Sequence, residues 1–362
     1  MKNYKTDVTI ILPSLDPDEK FLNVVTGLVR EGFEDIVIVN DGSKAENLPW
    51  FERAAEMPGC TVLTHEVNKG KGRALKTAFE YVNENRPHSQ GVVTIDGDGQ
   101  HLLADIVSCA RVMLEHEDKI IMGCRDFNAP GIPARSRGGN KFTSALFLIG
   151  CGIRLSDTQT GLRAIPKQYL EHFCGVEGER FEYETNMLLD MKRENIPFEE
   201  VSITTVYEGD NEGSHFRPVV DSIKIMKPIV KFMMSSFVGF MISSGTSFVL
   251  DLGIYYLALR LIGDGSYSIL AATIIARVIS SFYNFNMNRK MVFGSTADYK
   301  KTMVRYYLLC VVQLLTSAGL VTLLKSFIPG GAFVATVVKA CVDTCLFLIS
   351  YQIQKHWVFK ND

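Results

Sequence analysis

The chain has 362 residues, 47% of them hydrophobic, and a formal net charge of −2. That length accommodates two domains, and a charge so near zero argues against nucleic acid as a partner. The averages conceal a division. The first two thirds mix charged and apolar residues as a water-soluble α/β protein does, whereas from about Ile229 long apolar runs dominate. Eight cysteines are scattered without a C-x-x-C pair, so they read as reduced packing residues rather than a disulfide framework or zinc site. The start, MKNYKTDVTIILPS, is too short in its apolar core and broken too soon by Pro13 to be a signal peptide. The N-terminal domain is therefore expected to stay in the cytoplasm.

Val8–Leu12 reads as a short apolar strand ending at Pro13. Glu19–Glu31 has helical spacing, with Phe21, Val24, Val25 and Leu28 on one face. Asp35–Val39 is a second strand, leading into Asn40-Asp41-Gly42-Ser43, and Thr61–His65 a third. Asn68-Lys69-Gly70-Lys71-Gly72 then opens a helix carrying Ala74, Leu75, Ala78 and Phe79. Val92–Ile95 is a fourth strand and Lys119–Met122 a fifth. Strands alternating with helices predict a mostly parallel, doubly wound α/β sheet. Ser14, Asp16, Asp41, Asp96 and Asp98 all follow strands, and in a parallel sheet those ends share one crevice. No G-x-G-x-x-G follows the first strand, which disfavours a dinucleotide. The Lys69–Gly72 segment also lacks the spacing of a nucleoside-triphosphatase loop.

The fourth strand ends in Asp96-Gly97-Asp98-Gly99-Gln100. Two carboxylates and an amide are oxygen ligands suited to Mg²⁺ or Mn²⁺, ions that share their coordination with substrate phosphates. The bland alternative is a polar turn leaving a strand. Gly70 and Gly72 either let backbone N–H groups approach a phosphate, with Lys71 adding charge, or simply start a helix. Asp41-Gly42-Ser43 is either a ligand edge or a turn and cap. Arg217 either adds positive charge at the diphosphate or is a solvated surface arginine. Arg125, Arg135, Ser136 and Arg137 flank a segment broken by Pro130, Gly131 and Pro133. That pattern reads as a loop rich in phosphate-binding groups, or as a contact to lipid headgroups.

Residues 1–215 resemble glycosyltransferase family 2, in the branch of dolichyl-phosphate mannose synthase and the polyprenyl-phosphate glucosyltransferases. The resemblance is carried by LPSLDPDEK at 12–20, VNDGS at 39–43, NKGKGRAL at 68–75, TIDGDGQH at 94–101, GCRDF at 123–127, RSRGGN at 135–140, SDTQTGLRA at 156–164 and RFEYE at 180–184. It implies a GT-A fold that takes a UDP- or GDP-sugar donor and a polyprenyl phosphate acceptor. On matching positions, Pro13, Ser14 and Asp16 would line the nucleoside pocket and Asp41 would touch base or ribose. Asp96 would lie near the sugar-nucleotide, and Asp98 with Gln100 would hold the metal. Asp157 stands where the family places its candidate catalytic aspartate. Two departures, Asp16-Pro17 for an asparagine–glutamate pair and Asn40 for the first aspartate of D-D-G-S, leave the base identity open. A hydroxyl acceptor would need a base. A phosphate monoester, with a second pKa of about 6, would not. Asp157 thus either removes a proton, orients the acceptor, or caps a helix. Glu182 and Glu184 are weaker candidates.

Four apolar stretches follow, roughly Phe232–Leu261, Tyr267–Phe285, Met303–Phe327 and Ala332–Ile353, each near or above the ~20 residues of a spanning helix. Residues 216–230 form a juxtamembrane segment, which over Val219–Val230 either lies in the interface as an amphipathic stretch or is the lead-in to the first span. Basic residues cluster before the first stretch, between the second and third, and after the fourth, which places both termini and the enzyme domain in the cytoplasm. Tyr283–Phe293 and Ile349–Phe359 share one pattern, amide, apolar, amide, basic, then Val-Phe, and point to two parallel helix pairs related by an axis along the membrane normal. Asp251, Arg277, Lys339 and Asp343 fall inside the apolar stretches, as a lipid-headgroup pathway or as structural ion pairs. FVGF at 237–240, FVLDLG at 248–253 and the two exits resemble the GtrA-like four-helix membrane family over about 231–362, which implies handling of polyprenyl-linked sugars.

Together these readings predict a multi-pass, metal-dependent glycosyltransferase acting on polyprenyl phosphate with inversion. The rival is a transporter whose soluble domain senses nucleotide-sugar without turnover. A processive polysaccharide synthase is disfavoured by the lack of a Q-x-x-R-W-type segment. The sugar, the lipid length and the oligomeric state, a homo-oligomer included, stay open.

Overall fold

The computed structural model describes residues 2–129, 132, 134–204, 218–263, 267–328 and 332–360. Arg217 and the side chain of Arg135 lie outside the described residues. The chain divides into two compact units, Met1–Lys231 and Phe232–Asp362.

The first unit opens with a single turn, α1 (Tyr4–Asp7), then β1 (Val8–Ser14), α2 (Glu19–Glu31), β2 (Ile36–Asn40), α3 (Leu48–Ala55) and β3 (Cys60–Thr64). It continues through α4 (Lys71–Asn85), β4 (Gly91–Thr94), α5 (Leu103–Glu115), β5 (Ile120–Arg125) and α6 (Ala134–Leu146). β6 (Arg163–Pro166), α7 (Leu170–Cys174), α8 (Glu182–Arg193) and β7 (Phe198–Ile203) complete it. β2 and β4 are buried at every position and β1 at all but its last, as strands covered on both faces must be. Helix α2 begins at Asp18, whose carboxylate accepts the Lys20 N–H at 2.9 Å. It stops where the Gly32 N–H bonds back to the carbonyls of Leu28 and Val29. Its buried face is Phe21, Leu22, Val25 and Leu28, each contributing roughly 1.5–3 kcal/mol of burial.

Among the described residues seven strands form one mixed sheet in the order β3-β2-β1-β4-β6-β5-β7. β1 runs parallel to β2 and β4, β2 to β3, and β5 to β7. β6 alone is antiparallel, inserted between β4 and β5. The five strands read from the sequence are present within one to three residues of their expected ends; β6 and β7 are additions. Arg-Ala-Ile-Pro is too short and too polar to announce a buried strand. Its Arg163 is nonetheless only 2% exposed, because its guanidinium donates to the carbonyls of Thr160 and Glu184, each at 3.1 Å.

The second unit is helical: α9 (Pro218–Ile262, begun in the first unit), α10 (Ser268–Met287), α11 (Tyr299–Phe327) and α12 (Ala332–Ile353). Among the described residues four helical spans, Met226–Ile262, Ser268–Val292, Tyr299–Leu324 and Thr336–Val358, are long and apolar enough to cross a membrane. From Pro218 on, the juxtamembrane segment is part of α9. α10 and α12 each run into one π-helical turn, Asn288–Val292 and Gln354–Val358.

Candidate functional site

Strand order reverses direction at β1. The chain leaves β1 for β2 and β3 on one side, then returns to β4 on the other. Ligands of open α/β sheets bind where neighbouring strand ends diverge in this way. Both expected polar exits meet there. A Cβ on Gly97 would lie 3.6 Å from Ser14 Oγ, so the end of β1 faces the Asp96-Gly97-Asp98 turn after β4. Pro13 is buried within β1.

Asp96 is the hub of this edge. Its Oδ1 pairs with Lys71 Nζ at 2.7 Å, and the same ammonium reaches Glu184 Oε2 at 3.1 Å. His101 Nε2 stands 3.6 Å from Asp96 Oδ2. Burial alone would raise the Asp96 carboxyl, but Lys71 and His101 outweigh it and hold the group below the usual range. Burial would likewise pull Lys71 down, but Asp96 and Glu184 hold it above its ordinary value. Asp98 moves the other way, raised by burial and by the charge of Asp96. Its Oδ1 accepts the Gln100 N–H at 3.0 Å. Among the described residues no three His, Cys, Asp or Glu side chains form a ready-made metal cage. The expected donors, the Asp98 carboxylate crowded by the charge of Asp96 and the Gln100 amide, fit a hard divalent ion that completes its shell with water and diphosphate oxygens.

The glycines beside Lys71 serve packing. Gly70 has φ +106°, and a Cβ there would lie 2.4 Å from the Glu179 carbonyl oxygen. The segment leading into α8 thus fills the Cβ side of this loop. That approach is what carries Glu184 to Lys71. Gly161 is a second close contact: a Cβ there would lie 2.3 Å from Asp96 Oδ2. Glu184 was weakly foreseen, and Gly161 and His101 only as letters within motifs.

Asp41 is 4% exposed and already fully engaged. It accepts N–H bonds from Lys69 at 2.9 Å and Gly70 at 2.7 Å, and lies 2.7 Å from His65 Nδ1. These bonds make it the brace of the loop that presents Lys71. Asp16 bridges β1 to β2 through Oδ1, which accepts from Lys44 N–H at 2.8 Å and Asn47 Nδ2 at 3.0 Å.

A second cluster forms after β5. Asp157 is 0% exposed, and the Arg125 side chain donates to both its oxygens, Nε at 2.7 Å and Nη2 at 3.2 Å. The backbone N–H groups of Arg125 and Gln159 add bonds of 3.3 and 3.1 Å. The expected base and the expected phosphate ligand are therefore partners of each other. A cavity of about 400 Å³ opens beside Arg125, lined also by Asn128, Lys141, Ser144, Ser156 and Glu200. Ser136 and Arg137 do not line it; Arg137 instead donates to the Ala129 carbonyl at 3.4 Å. Lys141 and Ser144, further along α6, do line it.

Comparison with known proteins agrees with this division. Residues 9–174 match the family model described as glycosyl transferase family 2, and residues 239–359 match the GtrA/DPMS transmembrane domain. A UDP-N-acetylglucosamine–dolichyl-phosphate N-acetylglucosaminyltransferase of Methanococcus voltae is 28% identical over 218 residues, 55% of this chain and 86% of that protein. Glycosyltransferase AglJ of Haloferax volcanii is 25% identical over 218 residues, 59% of this chain and 68% of that protein. Among solved structures, mannosyl-3-phosphoglycerate synthase from Rubrobacter xylanophilus covers 63% of this chain and 73% of its own at 13% identity, TM-score 0.48. Glucosyl-3-phosphoglycerate synthase from Mycobacterium tuberculosis, in complex with Mn²⁺ and UDP-glucose, covers 64% and 78% at 14% identity, TM-score 0.47. The chain is a membrane protein with a glycosyltransferase family 2 domain followed by a GtrA/DPMS transmembrane domain.

Proposed function

We propose that the chain transfers a sugar from a nucleoside-diphospho-sugar to polyprenyl phosphate at the cytoplasmic membrane face, inverting the anomeric centre. The observation that carries this reading is the switch-point edge, where Ser14, Lys71, Asp96 and Asp98 meet; the Arg125–Asp157 ion pair stands at the end of β5, two strands over from β4. The M. voltae relative, named for dolichyl phosphate and UDP-N-acetylglucosamine, supports a lipid phosphate acceptor and favours UDP.

Ser14 and Asp16 border the donor site, and Asp41 acts on it through the Lys69-Gly70 backbone. Asp98 and Gln100 would hold Mg²⁺ or Mn²⁺, which when bound supplies the charge that makes a diphosphate a good leaving group. Lys71, fixed between Asp96 and Glu184, sets the position of the Asp96 carboxylate. The acceptor phosphate is its own nucleophile, mostly dianionic at neutral pH, so no side chain has to take a proton. Asp157 is then a positioning residue. It holds the Arg125 guanidinium, through a two-point bond, in the lining of the cavity where an anionic acceptor would be received. Lys141 adds positive charge to the same cavity.

The test is incubation of the purified chain in detergent with Mg²⁺ or Mn²⁺, polyprenyl phosphate and a panel of UDP- and GDP-sugars, with mass spectrometry of the lipid. One lipid-linked sugar supports the reading and names the donor. Donor binding with no product across the panel favours a sensor without turnover.

A further inference from the structure

Asn288 and Gln354 occupy the same place in the two exit motifs of the membrane unit, and in the folded unit they touch. Asn288 Nδ2 donates to Gln354 Oε1 at 3.0 Å, and both are buried. Phe293 and Phe359, which close the same motifs, stack with ring centroids 5.3 Å apart. Equivalent residues that contact each other reciprocally mark a two-fold axis, as in an isologous dimer.

The same sequence offset, 288 to 354 and 293 to 359, relates contacts that lie off the axis. Phe240 and Tyr351 have centroids 5.3 Å apart; their equivalents Tyr306 and Phe285 are 5.4 Å apart. Phe240–Phe293 at 6.3 Å recurs as Tyr306–Phe359 at 6.2 Å. Phe293–Tyr351 at 5.9 Å recurs as Phe359–Phe285 at 5.7 Å. Burial repeats as well: Ser243 with Leu309, Ala272 with Val338, and Ala276 with Val342 are all buried. Similar exit sequences would by themselves give similar helix ends, but not reciprocal contacts between helices from different pairs.

We infer that the membrane unit is an internal two-fold dimer, in which α9–α10 and α11–α12 are two copies of one helix pair. They meet on an axis through the Asn288–Gln354 and Phe293–Phe359 contacts. The amide pair sets the register of the two copies, because sliding one past the other would strand a buried carboxamide. The copies have diverged at their charges. Asp251 is equivalent to Ser317, and Arg277 to Asp343. Asp251 accepts from Ser280 Oγ at 2.7 Å and faces Arg277 at 3.5 Å. Asp343 accepts from Ser317 Oγ at 2.5 Å and pairs with Lys339 at 2.7 Å. Each copy thus keeps one carboxylate–hydroxyl–cation cluster, built on different positions. The aromatic and amide seam is common scaffold, and the two charged clusters are specialised.

A two-fold axis makes its two positions interchangeable, which the full-length chain can test in detergent by thermal unfolding. Asn288→Gln alone overfills the seam, and Gln354→Asn alone leaves the amides too far apart; each lowers the midpoint by several degrees. The exchange variant Asn288→Gln with Gln354→Asn recovers most of that loss, since Asn284 stands where Ser350 serves Gln354 now, at 3.2 Å. An exchange variant as unstable as both single changes combined overturns the inference, as do single changes without effect. Should the amide variants not fold, double-mutant cycles to leucine on Phe240–Tyr351 and on Tyr306–Phe285 decide it. Equal coupling supports the axis, and coupling that differs several-fold overturns it.

Discussion

Gly161→Ala separates a site role from a packing role with one added carbon. Its Cβ would lie 2.3 Å from Asp96 Oδ2, 2.9 Å from Cγ and 3.1 Å from Oδ1. The backbone at Gly161 is anchored, because its carbonyl accepts from Thr94 Oγ1 at 2.8 Å. Asp96 therefore has to give way, by about 1 Å to reach ordinary contact distance. A shift of that size breaks the 2.7 Å bond to Lys71. The lost charge-assisted bond costs about 1.5–3 kcal/mol of stability at most, reduced by the partial exposure of the pair. A misplacement of about 1 Å in a catalytic constellation costs about 100-fold in rate. The expected outcome is therefore a small fall in melting temperature and a large fall in glycolipid formation. Gly27→Ala is the control: nothing lies within 4 Å of a Cβ there, and a mid-helix alanine should stabilise by about 0.5–1 kcal/mol without touching activity. Wild-type turnover in Gly161→Ala would refute the assignment of Asp96 to the donor site.

Three further outcomes follow from the same geometry. If Asp157 acts through Arg125, then Asp157→Asn combined with Arg125→Ala should be no slower than Arg125→Ala alone; multiplying defects in kcat would restore Asp157 as an independent catalyst. Glu184→Gln removes one of the two carboxylates that fix Lys71 and should lower kcat/KM for the donor about tenfold, the kinetic equivalent of about 1.4 kcal/mol, while KM for the lipid stays unchanged; an altered lipid KM instead would place Glu184 elsewhere in the reaction. Asp98→Ala should abolish metal-dependent turnover, and undiminished activity would remove Asp98 from the metal site.

Local pattern was enough for most of the sheet. The predicted bounds of α2, Glu19–Glu31, are those observed, because cap, apolar stripe and glycine stop agree with one another. β6 was not legible, since a four-residue strand with a buried arginine is specified by its neighbours and not by its own pattern. That strand is also why the site was only half legible. The sequence marks where polar residues leave strands, and Asp96 and Asp98 were found in this way. It does not mark which segments fold back over those ends. Gly161 reaches Asp96 only because the segment it ends turns into β6 alongside β4. Arg125 and Asp157, 32 residues apart, were read as two functions because nothing in either motif says that they bond to each other. Nor does the motif around Lys71 say that one occupant of the space beside its glycines is the chain itself, the segment leading into α8.

That occupant changes the electrostatics of donor binding. Had Lys71 been free, the loop would attract a diphosphate unaided. Instead one ammonium faces three carboxylates, Asp96 and Glu184 in direct contact and Asp98 beside them. With those groups ionised the edge carries a net charge near that of a nucleoside diphosphate itself, and the two repel. Like charges about 4–6 Å apart in a half-buried site cost on the order of a few kcal/mol, enough to weaken binding more than tenfold. Donor and divalent ion should therefore bind as a linked pair, each raising the affinity for the other by the same factor. Calorimetric titration of the full-length chain with UDP and GDP, in EDTA and then in saturating Mg²⁺ or Mn²⁺, measures that factor directly. Affinity in EDTA within a factor of two of that with metal would mean that the carboxylates do not face the diphosphate, and the donor would have to be placed elsewhere on the sheet edge.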